Sequence, residues 1–180
     1  MRIREATLDD ISGIARVHVD TWRTAYVDIV PAAHLAGLSY EQRESRWREI
    51  LIPMGDLRCH FVAENDAGQI VGIATGGPER DGIPGYDGEL YGLYVLAAYQ
   101  RQGIGRELTL TVARRLAADG FRAIIIWVLK DNLEARAFYE ALGGVPVGEK
   151  TITIGGAQLI EVAYGWPDLT HWLSRQEQRP

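Results

Sequence analysis

The order of patterns over residues 90–129 constrains the fold more than anything else in the chain. An apolar stretch, Leu90 to Ala98, runs into Tyr99-Gln100-Arg101-Gln102-Gly103-Ile104-Gly105-Arg106, and a helical stripe of Ile104, Leu108, Val112 and Leu116 leaves it. Gly120 stops that stripe, and Ala123 to Leu129 follows as one continuous apolar run. Strand, glycine turn, helix, strand is a crossover unit, and a single helical crossover makes its two strands parallel. A run as apolar as Ala123–Leu129 needs cover on both faces. The turn between strand and helix also places free backbone N–H groups at a helix start. Glycines there let a ligand approach the main chain, which suits phosphate oxygens.

Around this unit the rest of the chain reads as a mixed sheet with helices. Arg2 to Ala6 is a short first strand, Thr7-Leu8-Asp9-Asp10 a capping-box-like helix start, and Ile11, Ile14, Ala15, His18 and Trp22 a helical face directed at the sheet. Tyr26 lies one turn beyond; Trp22 and Tyr26 read either as core anchors or as walls of an acceptor pocket. After Pro31, Ala32 to Ile50 carries Leu35, Leu38, Arg43, Trp47 and Ile50 as one second helical pattern, ended by Pro53-Met54-Gly55-Asp56. Cys59–Glu64 and Gln69–Ala74 flank the turn Asn65-Asp66-Ala67-Gly68 as an antiparallel pair. The Gly76–Gly88 loop is either a solvated connection or a cover for a substrate. Thr151–Ile154 and Ala157–Glu161 flank Gly155-Gly156, a two-residue hairpin signal at the far edge.

Composition narrows the function. With 180 residues, 47% of them hydrophobic, the chain suits a single domain spanning 1–180. A net charge of −5 and a pI near 5.4 argue against a nucleic-acid surface and favour a cationic small substrate. One cysteine, Cys59, excludes an internal disulfide, and the four histidines form no pair at metal-ligand spacing, so no metal is expected. Met1-Arg2-Ile3-Arg4-Glu5 lacks the apolar core of a signal peptide and no run reaches membrane-spanning length. A cytoplasmic protein without a membrane partner is expected.

Two Gly-loop families fail on the neighbouring letters. The Rossmann fingerprint needs Gly or Ala where Leu108 stands and a first-strand position, and a Walker loop needs Gly-Lys-Ser/Thr. What stands is Gln-x-x-Gly-x-Gly after a strand, followed, one strand later, by Asn132-x-x-Ala135-x-x-Phe138-Tyr139-x-x-x-Gly143. Alone, the first motif reads equally well as an ordinary glycine-capped turn. In this order, the two motifs resemble the signatures of the GNAT superfamily of N-acetyltransferases.

The resemblance implies an α/β fold with a mixed sheet of about seven strands flanked by about four helices, its parallel pair at the coenzyme site. It implies acetyl-CoA as cosubstrate and direct attack of an amine on the thioester. The pyrophosphate falls to the amides of Gln102, Gly103, Gly105 and Arg106, with Gln100 and Arg101 beside them. The family's frequent arginine at the loop's first position is here Gln100, with Arg101 next to it. Leu93, Tyr94 and Val95 would hold the pantetheine arm, Asn132 would touch the coenzyme, and Tyr139 would sit near the thioester sulfur. The acceptor is an amine-bearing small molecule or peptide, and a homodimer is compatible.

The chemistry asks for matching parts. An amine attacks only when neutral, and a lysine-like amine has a solution pKa of about 10.4, so a base or a desolvating pocket is needed. Glu89 is the first candidate for that base, since strict alternation puts Glu89, Tyr91 and Leu93 on one face; otherwise it is a solvated strand-end carboxylate. By the same resemblance the Val95 N–H would be the oxyanion donor and Tyr139 the acid at the thiolate, with Trp22, Tyr26 and Tyr91 as candidates for the pocket. A non-catalytic coenzyme-A-binding sensor would keep the loop and Asn132 but need neither Glu89 nor Tyr139.

Overall fold

In a computed structural model covering residues 1–52 and 57–178, seven strands form one sheet in the order β1-β2-β3-β4-β5-β7-β6. The helix stop expected at 53–56 lies outside the described residues. The strands are β1 (Arg2–Glu5), β2 (Cys59–Glu64), β3 (Ile70–Pro78), β4 (Gly88–Val95), β5 (Ile124–Leu129), β6 (Val145–Ile154) and β7 (Ala157–Trp166). All neighbours are antiparallel except β4 and β5, the pair joined by the crossover helix. The helices are α1 (Ile11–Ala25), α2 (Ala32–Ala36), α3 (Tyr40–Leu51), α4 (Ile104–Ala118), α5 (Leu133–Ala141) and α6 (Leu169–Glu177).

The sheet separates two helical layers. On one face α4, α5 and α6 share a core with Leu90, Val95, Ile126, Val128, Tyr164 and Trp166. On the other, α1 packs with Trp47 of α3 against Val62, Ile70 and Ile73, and the α1–α2 region covers Leu129 and the β6–β7 hairpin. Cover on both sides is what the apolar run of β5 requires, and Ile124, Ile125 and Ile126 are at most 3% exposed. Each isoleucine so buried stabilises the fold by about 1.5–3 kcal/mol. Arg4 ties β1 to the start of α1, its two terminal guanidinium nitrogens each reaching the Asp10 carboxylate at 2.7 Å.

Several elements depart from the sequence reading. Among the described residues there are six α-helices rather than about four. The pattern over Ala32–Ile50 is two helices, because the backbone turns at Gly37-Leu38-Ser39 and the Ser39 hydroxyl caps α3 by accepting from the Gln42 amide. Asp168 likewise caps α6, whose Trp172 donates its indole N–H to the Leu142 carbonyl. The hairpin around Gly155-Gly156, both at positive φ, extends to ten residues on each side. The strand entering the glycine turn ends at Val95, and Ala97–Tyr99 form a short 3-10 turn. No described helix is long and apolar enough to cross a membrane.

Candidate active site

β4 and β5 pair only at Gly88–Ile124 and Glu89–Ile125, then part, β4 staying with β3 and β5 with β7. A cavity of about 670 Å³ opens where they separate. The Leu96 amide donates to the Val71 carbonyl of β3 at 3.0 Å, so alternation turns the backbone groups of Val95 and Leu93 the other way, into the gap. The Val95 carbonyl there accepts from the Gln100 side chain at 2.9 Å. By the same alternation Tyr94's backbone faces β3, and its ring lies 4.6 Å from that of His18 on the α1 face.

At the C-terminal end of β4 the chain turns through Arg101 (φ 61°) and Gly103 (φ 83°) into α4. Gly103 supplies a left-handed conformation that side chains resist. Gly105 has a different use: a Cβ there would meet Phe138 at 3.5 Å and Leu93 at 3.7 Å, ordinary contact distances, so the fold does not demand glycine. What its bareness leaves open is the approach to the main chain. Among the described residues, no amide from Arg101 to Arg106 donates to a backbone carbonyl. Together with the helix dipole, this is an anion seat. The Arg106 guanidinium is committed to Gln176 of α6, which leaves its amide for the seat, whereas Arg101 is exposed beside it. Gln102 bonds back to the Ala98 carbonyl and lies outside the cavity wall.

α5 supplies the next wall. Asn132 caps it, its Oδ1 accepting from the Ala135 amide at 3.1 Å, which leaves Nδ2 for the cavity. Tyr139 is 4% exposed, edge-on to Phe138 and Trp166. Burial, with the nearby Tyr26 and Tyr94, pushes its hydroxyl well above the usual phenol range, so it stays protonated. Among the described residues that hydroxyl has no hydrogen-bond partner.

The cavity passes through the sheet. Val128, Val162 and Tyr164 belong to the α4–α6 face, so Trp127, Leu129 and Glu161 stand on the α1 face, where Trp22 and Tyr26 meet edge-on at 4.8 Å. Burial raises the Tyr26 phenol, helped by Tyr94 and Glu161.

The acetyltransferase (GNAT) family model matches residues 13–144. The chain belongs to the GNAT acetyltransferase family. YuaI, an uncharacterized N-acetyltransferase of Bacillus subtilis (strain 168), is 42% identical over 168 residues, 93% of this chain and 94% of the relative. The ribosomal-protein-alanine N-acetyltransferase of Brucella melitensis superposes with a TM-score of 0.70 at 24% identity, over 92% of this chain and 99% of that one. The PaiA N-acetyltransferase of Thermoplasma acidophilum, solved in complex with coenzyme A, superposes with a TM-score of 0.64 at 19% identity, over 92% and 98%. At these identities the two structures speak for the GNAT fold.

Within this GNAT fold the structure brings Leu93, Tyr94, Val95, Gln100, Arg101, Gly103, Gly105, Arg106, Asn132, Tyr139, Trp22, Tyr26 and Tyr91 to one cavity. It does not bring Glu89. That residue sits at the vertex where β4 and β5 part, 1% exposed, outside the cavity wall. Arg80 folds back over it from the loop: its amide donates to Oε2 at 3.3 Å, its Nε at 3.0 Å, and its second nitrogen holds Oε1. The same guanidinium lies 4.1 Å from the centre of the Tyr91 ring. The alternation that joined Glu89, Tyr91 and Leu93 also fails. Gly76 pairs with Leu90 and Thr75 with Gly92, so Tyr91 is an extra residue in a β-bulge. Leu93 therefore lies on the α4 face, with Leu90.

Sequence reasoning missed Glu161 and Trp127. Glu161 is the single charged residue in the otherwise uncharged run from Thr151 to Trp166, which is the signal that was available. Glu79, Asp81 and Glu89 bring carboxylate oxygens within 4.8 Å of one another, but each already has donors: three loop amides, Lys150 and Arg80 respectively. Burial pushes the Cys59 thiol up to about 11, out of reach of thiolate chemistry at neutral pH.

Proposed function

We propose that the protein is an acetyl-CoA-dependent N-acetyltransferase that moves the acetyl group by direct attack of an acceptor amine. One observation carries this reading: a through-sheet gap that ends on unpartnered helix-start amides at one side and holds a protonated, unpartnered tyrosine hydroxyl in its wall. Acetyl-CoA supplies an activated thioester. The amides of 102–106 and the Arg101 charge hold its pyrophosphate, the backbone edge of Leu93 and Val95 its arm, and Asn132 Nδ2 a further polar contact. The Val95 N–H, pointing into the gap, stabilises negative charge on the carbonyl oxygen, and Tyr139 gives its proton at the departing sulfur. The acceptor enters from the α1 face, past Trp22, Tyr26 and Tyr91. The chain acts as one domain, with no metal in the reaction.

Glu89 enters this scheme as a structural charge. To take a proton it would have to release Arg80, so the amine's proton goes elsewhere or the pocket admits the neutral amine. The sensor alternative has no use for a tyrosine hydroxyl kept unpartnered in the wall. The test is thiol release from acetyl-CoA with a panel of primary amines, with acetylated products identified by mass. Amine-dependent release supports the reading; tight coenzyme A binding with no transfer to any amine would favour the sensor.

A further inference from the structure

We propose that Glu161 is the specificity-determining residue for the acceptor: its carboxylate binds the acceptor's cationic amine, and the aromatic wall around it selects primary amines carried on an apolar or aromatic body. The proposal rests on the acetyltransferase reading and adds the substrate class to it.

Three observations converge on this carboxylate. First, Glu161 lines the cavity on the sheet face opposite the glycine loop, where it stands across from Leu129 in the β5–β7 register. An acceptor that meets the thioester from the side not filled by coenzyme passes it. Among the described residues, the other carboxylate in that wall, Glu134, is in the first turn of α5 beside Asn132, on the α4–α6 side of the sheet. Second, the one cationic partner of the Glu161 carboxylate among the described residues, Lys150 across the β6–β7 ladder, stands off at 3.7 Å, although the Glu161 side chain is only 18% exposed. A half-buried carboxylate whose cationic partner stands off at that distance keeps an oxygen for a charged donor brought by a ligand.

Third, the protein already shows what this corner binds. The Lys150 ammonium lies 3.7 Å from Glu161, beyond hydrogen-bond reach, and 4.1 Å from the centre of the Trp127 ring. Its close partner is Asp81 of the loop, at 2.6 Å. An aromatic face and a carboxylate thus frame a primary ammonium that is hydrogen-bonded to a third group, leaving Glu161 free to take a second one. Trp22 and Tyr26 extend the aromatic lining toward Tyr139. The charged and titratable groups facing Glu161 are Lys150 on β6, Asp81 in the loop, Glu89 on β4, Tyr26 after α1 and Tyr94 on β4. Burial raises the Glu161 carboxyl while Lys150 opposes the shift, so an arriving ammonium meets a carboxylate poorly solvated and in need of a partner.

The experiment is a pair of calorimetric titrations at pH 7, phenethylamine (cationic) and 2-phenylethanol (its neutral isostere), into the coenzyme A complex and into the coenzyme-free protein. The wild type should bind the cation about tenfold tighter or more, the scale of one charge-assisted contact. Glu161→Gln should erase that preference while leaving 2-phenylethanol binding unchanged. Lys150→Met should move the other way, tightening the cation several-fold by removing a competing ammonium, so the proposal is decided even where one variant folds poorly. No preference in the wild type, or a preference that survives Glu161→Gln, overturns it. Failure of coenzyme A itself to bind, read in a separate titration, is a failure of the acetyltransferase reading, and the coenzyme-free arm still decides Glu161.

Discussion

Tyr139 stands in the cavity wall on a helix that Asn132 caps and Gly143 follows. Its hydroxyl has no hydrogen-bond partner among the described residues, so Tyr139→Phe should lower turnover by about 10²-fold, the scale of a positioned acid, with coenzyme affinity and melting temperature nearly unchanged. Unchanged turnover would give the proton to water or another group; a large fall in melting temperature would reveal a structural role. The place of Tyr139 in the wall was legible because its neighbours are local, whereas the surroundings of Glu89 were not, because its partner arrives from a loop. Nothing in the letters says that Arg80 folds back on the vertex of β4 and β5, or that Tyr91 is a bulge, since both depend on how β3 and β4 pair.

At the scale of elements, the crossover unit was legible throughout. Its strands, glycine turn and helix each carry their own pattern, and burial of β5 on both faces follows from seven apolar letters in succession. On the α1 face the reading was partial: Trp22, Tyr26 and Tyr91 were legible as pocket candidates, whereas Trp127 and Glu161 were not, because the β5–β7 register that sets them opposite α1 joins segments far apart in sequence. Alternation in the β6–β7 hairpin also hides how long it is: both strands reach ten residues with polar side chains on the open face. The glycine turn yields its own prediction. Because a Cβ at Gly105 meets only ordinary contacts, Gly105→Glu should fold with a near-native circular dichroism spectrum yet lose coenzyme A binding in calorimetry, a carboxylate now occupying the anion seat. Unchanged affinity would remove the phosphate from this helix start.

For the whole molecule, stability should depend on pH through a histidine that has no part in the chemistry. His18 is buried among Trp22, Trp47 and Tyr94 with both ring nitrogens unpartnered, and burial, aided by Arg43, lowers its pKa to about 3. Above about 6.5, the unfolded value, the ring is neutral in both states and adds no pH dependence. As pH falls below that, the unfolded chain takes a proton the folded chain refuses, so stability drops by about 1.4 kcal/mol per pH unit until the folded ring also protonates near 3. Asp10, held below its usual 3.8 chiefly by Arg4, adds acid sensitivity only below that value. Denaturant melts between pH 4 and 7 should show this limb in the wild type and lose most of it in His18→Phe; equal slopes would mean that water or a partner reaches the imidazole. Every step proposed for the molecule depends on the gap between β4 and β5 being the coenzyme's seat, and a crystal structure of the coenzyme A complex is the decisive measurement. The pyrophosphate should lie on the amides of 102–106, the arm should bond to Leu93 and Val95, and the thiol should sit beside the Tyr139 hydroxyl; coenzyme bound anywhere else, with the gap empty, would overturn the assignment.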